Sequence, residues 1–100
     1  MAVKVIIIRR IKPGALLPAL DILNQMRTLA MSQNGHITGE TLVGLNDPQK
    51  ILVISTWQSA DCWRTWRDSP ERLALEEKSE EILEERPYYE IFTYGATPTR

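Results

Sequence analysis

A single cysteine and a single histidine are the chain's sharpest scarcities. One cysteine, Cys62, cannot close an internal disulfide. Beside Trp63 on an amphipathic stretch, it reads as a buried packing residue rather than a reactive thiol. One histidine, His36, distant from Cys62 in sequence, offers no ligand set for a metal, which needs several such groups at fixed spacing. Any histidine-based acid or base chemistry must therefore use His36. That residue follows Asn34-Gly35 at the start of a strand-like run, where a solvent-exposed side chain is common. Excess charge is lacking too. The net charge of -1 gives no electrostatic reason to expect nucleic acid or an anionic membrane as partner. No apolar run approaches the roughly 20 residues that span a bilayer. Val3 to Ile8 is interrupted by Lys4 and followed by Arg9, Arg10 and Lys12. A secretion signal carries its charges first, so a cytoplasmic address is expected. The sequence also lacks a phosphate-cradling glycine loop, a nucleophile-and-base pair, paired acids in a known motif, and any internal repeat.

What is present fits one domain over residues 1–100, with a core from about 3 to 95. Val3 to Lys12 reads as a strand, with Val3, Val5, Ile7 and Ile11 on one face and Ile6 and Ile8 on the other. Pro13-Gly14 breaks it. Ala15 to Ser32 reads as a helix with Leu16, Ala19, Leu20, Leu23, Met26 and Ala30 on its apolar side. Pro18 fits within its first turn. His36 to Asn46 is a second strand, and its glycines 39 and 44 suggest a bulge or bend. Asp47-Pro48-Gln49-Lys50 is turn chemistry leading into a third strand, Ile51 to Trp57. Ser59 is a good N-cap for a helix from Ala60 to Asp68. Ser69-Pro70 starts another helix, expected to run to about Glu84. Pro87 introduces a last strand, Tyr88 to Tyr94, and the tail from Gly95 to Arg100 is expected to be loose.

This order predicts an α+β ferredoxin-like sandwich: a four-stranded antiparallel sheet with helices on one face. The first and third strands are apolar on both faces. A lone chain would leave one of those faces as a wet apolar patch. A second copy of the chain would cover it, so a homodimer through the sheet face is expected, two sheets closing into a barrel-like core.

Arg-Ile-Lys-Pro-Gly at 10 to 14, the hairpin into Ile-Leu-Val-Ile-Ser-Thr-Trp-Gln-Ser at 51 to 59, and the following helix with Trp66 carry a family resemblance. From Val3 to Gly95 the chain resembles the antibiotic biosynthesis monooxygenase superfamily of dimeric α+β barrels. The resemblance implies a ligand cleft between helices and sheet within each subunit. It implies Trp66 as a pocket wall, with Ile7 and Glu76 at two further pocket positions. The haem-degrading branch of the superfamily has an Asn where Ile7 stands and a haem-ligating His where Glu76 stands. A carboxylate is a poor substitute for the imidazole ligand, so haem is not expected, and no other cofactor is predicted.

Several residues read two ways. Trp66 is a pocket wall or a core residue over the sheet. Trp63, on the same side of its helix, is a second wall or packing. Trp57 reads as core or interface. Arg9 and Arg10 face opposite ways, and one of them is placed to hold an anionic group in the cleft, or both end the strand in solvent. Tyr88 and Tyr94 share a face with Phe92, while Tyr89 faces the other way with Ile91. The weak catalytic candidates are His36, Glu76 and Arg9.

Two functions survive. The first is a cofactor-independent monooxygenase acting on a small electron-rich aromatic, a phenol or hydroquinone. There Arg9 or a tyrosine holds the phenolate, and Glu76 or His36 takes the proton. The alternative is a small-ligand-binding or stress-related dimeric module without turnover. Haem degradation ranks below both.

Overall fold

The computed structural model describes residues 1–96; of the tail, residues 97–100 lie outside the described part. Four strands are present: β1 (Val3–Arg10), β2 (His36–Val43), β3 (Lys50–Trp57) and β4 (Tyr88–Thr93). Three helices accompany them: α1 (Leu16–Met31), α2 (Ala60–Arg67) and α3 (Pro70–Ser79), the last followed by a 3-10 turn, Glu80–Ile82. The sheet order is β2-β3-β1-β4, with every neighbouring pair antiparallel. Helices cover one face. This is the expected α+β ferredoxin-like sandwich.

The local signals act as elementary chemistry dictates. Ser59 adopts an extended conformation, and its hydroxyl accepts the Cys62 backbone N–H at 3.1 Å. Ser69 does the same for Arg72 at 3.3 Å, with Pro70 at the first helical position. These caps satisfy orphan donors and fix where α2 and α3 begin. At Gly35 φ is +86°, and an added Cβ would sit 2.5 Å from Cys62 Sγ. Both the left-handed backbone and the close approach require glycine there, between α1 and β2.

Alternation along β1 sends Val3, Val5, Ile7, Arg9 and Ile11 into the helix-side core, all nearly or fully buried. α1 meets that face with Ala19, Ile22, Leu23, Met26 and Ala30. Leu16 and Leu20 are only half-buried, so the apolar stripe is turned toward Ile22 relative to the expected one. Each fully buried aliphatic side chain contributes roughly 1.5–3 kcal/mol.

Three boundaries differ from expectation. β1 ends its ladder at Arg10, and Ile11 instead bridges Leu83. The β2 irregularity falls between His36 and Thr38, just before Gly39 rather than at a glycine. Most informative is α3, which stops at Ser79 rather than near Glu84. There the Ser79 hydroxyl donates to the Glu76 carbonyl at 2.7 Å. The chain beyond is drawn onto the end of β1, where Lys12 N–H donates to Ile82 O and Glu84 N–H donates to Arg10 O, both at 2.9 Å. Glu80, Glu81, Glu84 and Glu85 also oppose the helix dipole. Sheet contacts and charge together end the helix early.

Candidate active site

Between the helices and the sheet lies a cleft of about 60 Å³. That is room for a few ordered waters, about one per 10–15 Å³ on this measure, before any side chain moves. Ile7, Val53, Ser55 and Trp57 form its floor; Leu23 and Met26 of α1, Trp63 and Trp66 of α2, and Arg72 of α3 close it from the helix side. α2 places both tryptophans three residues apart on one side, so one short helix supplies two walls. Trp63 packs 6.1 Å from Trp57 and 6.4 Å from Tyr89, centroid to centroid. All three tryptophans are nearly buried.

One end of the cleft is built by β2 and β3. His36 and Trp57 are cross-strand partners, and the imidazole stands edge-on to the indole at 5.1 Å. Trp57 Nε1 donates to Ser55 Oγ at 3.0 Å. Having accepted that bond, the buried Ser55 hydroxyl keeps its own proton for another acceptor. Gly39 is the cross-strand partner of Ser55, and with no Cβ it leaves space beside His36 Nε2. Burial lowers the His36 pKa below its ordinary value, and the nearby Arg27 charge lowers it further. The imidazole is therefore neutral at neutral pH and able to accept a proton.

The other end is cationic. Arg9, only 3% exposed, reaches from β1 to α3 and donates through Nη2 to Glu76 Oε1. Arg72, equally buried, donates to the same oxygen at 3.3 Å and to the Tyr89 hydroxyl at 3.0 Å. Its guanidinium also lies over the Trp63 and Tyr89 rings, at 5.2 and 5.6 Å. Two buried guanidinium groups thus share one carboxylate. Among the described residues, Arg9 Nε is buried without any partner.

The structure brings His36, Arg9, Ile7, Trp63 and Trp66 to one cleft. Glu76 stands behind Arg9 and borders a separate surface hollow instead, because two guanidinium groups hold its carboxylate away from the cleft. Arg10 faces away and pairs with Asp47 and Glu85; its guanidinium holds the Asp47 carboxyl below the usual carboxylate range. Tyr88 lies on the outer sheet side, its hydroxyl donating to Glu90, which raises its pKa. Tyr94 follows β4 and is exposed, and Cys62 is half-buried against Gly35 rather than fully packed away. Sequence alone does not mark Arg72 or Ser55 as site residues. The only signal for Arg72 was its position four residues before Glu76, the spacing of a helical ion pair. Ser55 carried none.

Haem does not fit these residues. Glu76, which the family resemblance sets where a haem ligand would stand, is committed to Arg9 and Arg72, and Ile7 is apolar and offers no hydrogen bond. No group of three or more metal-ligating side chains occurs among the described residues.

Comparison with known proteins agrees with this architecture. Over 73 residues, 73% of this chain, it is 29% identical to protein SchA of Streptomyces halstedii. The matched stretch is only 19% of SchA's own length. SnoaB from Streptomyces nogalater, a cofactor-independent oxygenase, superimposes with a TM-score of 0.85 over 96% of this chain and 95% of its own, at 16% identity. Rv0793 from Mycobacterium tuberculosis superimposes at 0.88 over 99% of this chain and 100% of its own, also at 16% identity. At such identities these structures establish the shared fold. A family model for antibiotic biosynthesis monooxygenases matches residues 1–78. The chain belongs to the antibiotic biosynthesis monooxygenase family.

Proposed function

We propose that this protein is a cofactor-independent monooxygenase that oxidises a small electron-rich aromatic, a phenol or hydroquinone, in the helix–sheet cleft. The observation that carries the reading is that half-buried His36, whose pKa burial lowers, and the buried Ser55 hydroxyl line the same tryptophan-walled apolar cleft. The likeness of fold to SnoaB supports the same class of chemistry.

In this reading His36 takes the phenolic proton, and the Ser55 hydroxyl donates to the phenolate oxygen that forms. A phenolate is electron-rich enough to reduce dioxygen itself. Electron transfer and carbon–oxygen bond formation at a ring carbon give a peroxide, with the proton from His36 going to its outer oxygen. Loss of the ring C–H proton then breaks the O–O bond. One oxygen atom stays as a new carbonyl and the other leaves as water. The substrate supplies all four electrons. The walls of Trp57, Trp63 and Trp66 exclude bulk water and strengthen the hydrogen bond to the phenolate.

The outer sheet face belongs to the same proposal. Ile6 and Ile54 are cross-strand partners there, as are Ile8 and Leu52. Leu42 and Phe92 extend this apolar face and are more than two-fifths exposed. A second copy of the chain covers this patch, making the working unit a homodimer.

Oxygen consumption with a dihydroxynaphthalene tests the activity. The expected result is uptake of one dioxygen per hydroxynaphthoquinone formed, abolished or strongly reduced in His36→Gln. Uptake no faster than in protein-free buffer, across a panel of phenols, would sink the oxygenase reading and leave a binding module.

A further inference from the structure

We propose that the physiological ligand carries a carboxylate, seated at the Arg9 end of the cleft, opposite the phenol. This rests on the oxygenase reading for the phenolic end only; the carboxylate site stands on its own geometry.

The charge arrangement is the first ground. Arg9 and Arg72 are both nearly buried and share a single oxygen of Glu76. Guanidinium groups stay protonated at any physiological pH. The triad therefore holds one positive charge more than it holds negative. A buried charge without a counter-ion is costly, and a bound anion removes that cost. Glu40 touches the lining, but it is exposed and pairs with Ile54 across the sheet, which turns its carboxylate to the outer face; the exposed Arg27 adds positive charge, so the walls do not supply the missing anion.

The second ground is an open donor. Arg9 lines the cleft, and its buried Nε has no partner among the described residues. Only Nη2 is engaged, with Glu76 and weakly with Met26 Sδ at 3.9 Å. The free Nε–H offers one charge-assisted hydrogen bond to a carboxylate oxygen, beside the Nη2 already held by Glu76.

Spacing supplies the third. Ser55 pairs with Val5 across the sheet, and Arg9 lies four residues further along β1. At about 3.3 Å per residue the two ends are about 13 Å apart between backbones, less at the side-chain tips. A neutral phenol at the His36 end does not reach the arginines. A fused-ring aromatic acid, hydroxyl at one end and carboxylate at the other, has the length to join the two ends once side chains move to widen the cleft. The anion must be ionised in the resting complex, since the triad's charge is present before any chemistry. An ordinary phenol is neutral at that pH, whereas a carboxylic acid is ionised.

Calorimetric titration of the intact protein at neutral pH separates the possibilities. The probes are a hydroxynaphthoate, its primary amide of the same shape, the naphthoate lacking the hydroxyl, and a naphthol lacking the carboxylate. The expected result is binding about tenfold or more tighter for the hydroxynaphthoate than for its amide, the worth of one charge-assisted hydrogen bond. The naphthoate should keep most of that advantage and the naphthol none. In Arg9→Gln the preference for acid over amide should disappear. Should that variant fail to fold, the wild-type comparison still decides. Equal affinity for acid and amide, or a naphthol that binds as tightly as the acid, would overturn the proposal. Carboxylate preference without oxygen uptake would support it while sinking the oxygenase reading; oxygen uptake without that preference would do the reverse.

Discussion

Arg9 on β1 and Glu76 on α3 form a part-buried ion pair 67 residues apart in sequence, and Arg72 joins it from one helical turn before Glu76. Among the described residues, Glu76 is thus the only carboxylate joining two buried cations to each other, and it fastens α3 to β1, one of the two central strands of the sheet. Glu76→Gln leaves both guanidinium groups buried without a charge partner. Breaking a pair from one side costs about 3 kcal/mol or more in such surroundings. Urea unfolding should show that loss of stability. A loss under about 1 kcal/mol, typical of a surface pair, would mean the triad is solvated.

His36 gives the protein a signed pH response. Its folded-state pKa lies below the ordinary 6.5, mainly through burial and further through Arg27. Between those two values the unfolded chain binds more protons than the folded one. The contribution of His36 to stability is therefore complete above about pH 6.5 and is lost as pH falls through the folded-state value. Turnover should fall over the same acidic limb, because the base must be neutral to accept a proton. In His36→Gln the limb should vanish, and the rate should drop by about 10²-fold or more. An unchanged limb in that variant would assign it to another group.

The outer sheet face makes an equally direct prediction about assembly. Ile6 and Ile54 face each other at the centre of the apolar patch. Ile54→Glu places a charge there, which a packed interface does not accept without a partner. Sedimentation should show wild-type protein at twice the 11.5 kDa chain mass and the variant at the chain mass. A wild-type chain that sediments as a monomer would show that the face is left to solvent or to another partner.

Much of this architecture is legible in sequence because its signals are local. Ser59 and the Ser69-Pro70 pair mark helix starts within a residue of where they occur. Asp47-Pro48 marks the hairpin between β2 and β3. The end of α3 is not legible, because it is set by β1: hydrogen bonds from Lys12 and to Arg10 capture the chain after Ser79. The site divides the same way. Trp63 and Trp66 announce themselves by helical spacing, and Arg9 shares the strand parity of Ile7 and Ile11, which already places it inward. Arg72 and Ser55 become site residues only when α3 and β3 are laid against β1. Glu76, by contrast, occupies a pocket position by family resemblance, yet its neighbours turn it into the anchor behind Arg9.

The most direct test of the central claim is turnover of a dihydroxynaphthalene under isotopically heavy dioxygen, with protein stripped of metal and flavin. The account predicts a quinone carrying one heavy oxygen atom per molecule, with the second atom in water and no accumulation of hydrogen peroxide. An unlabelled product, peroxide formed in step with substrate loss, or no product at all would contradict it.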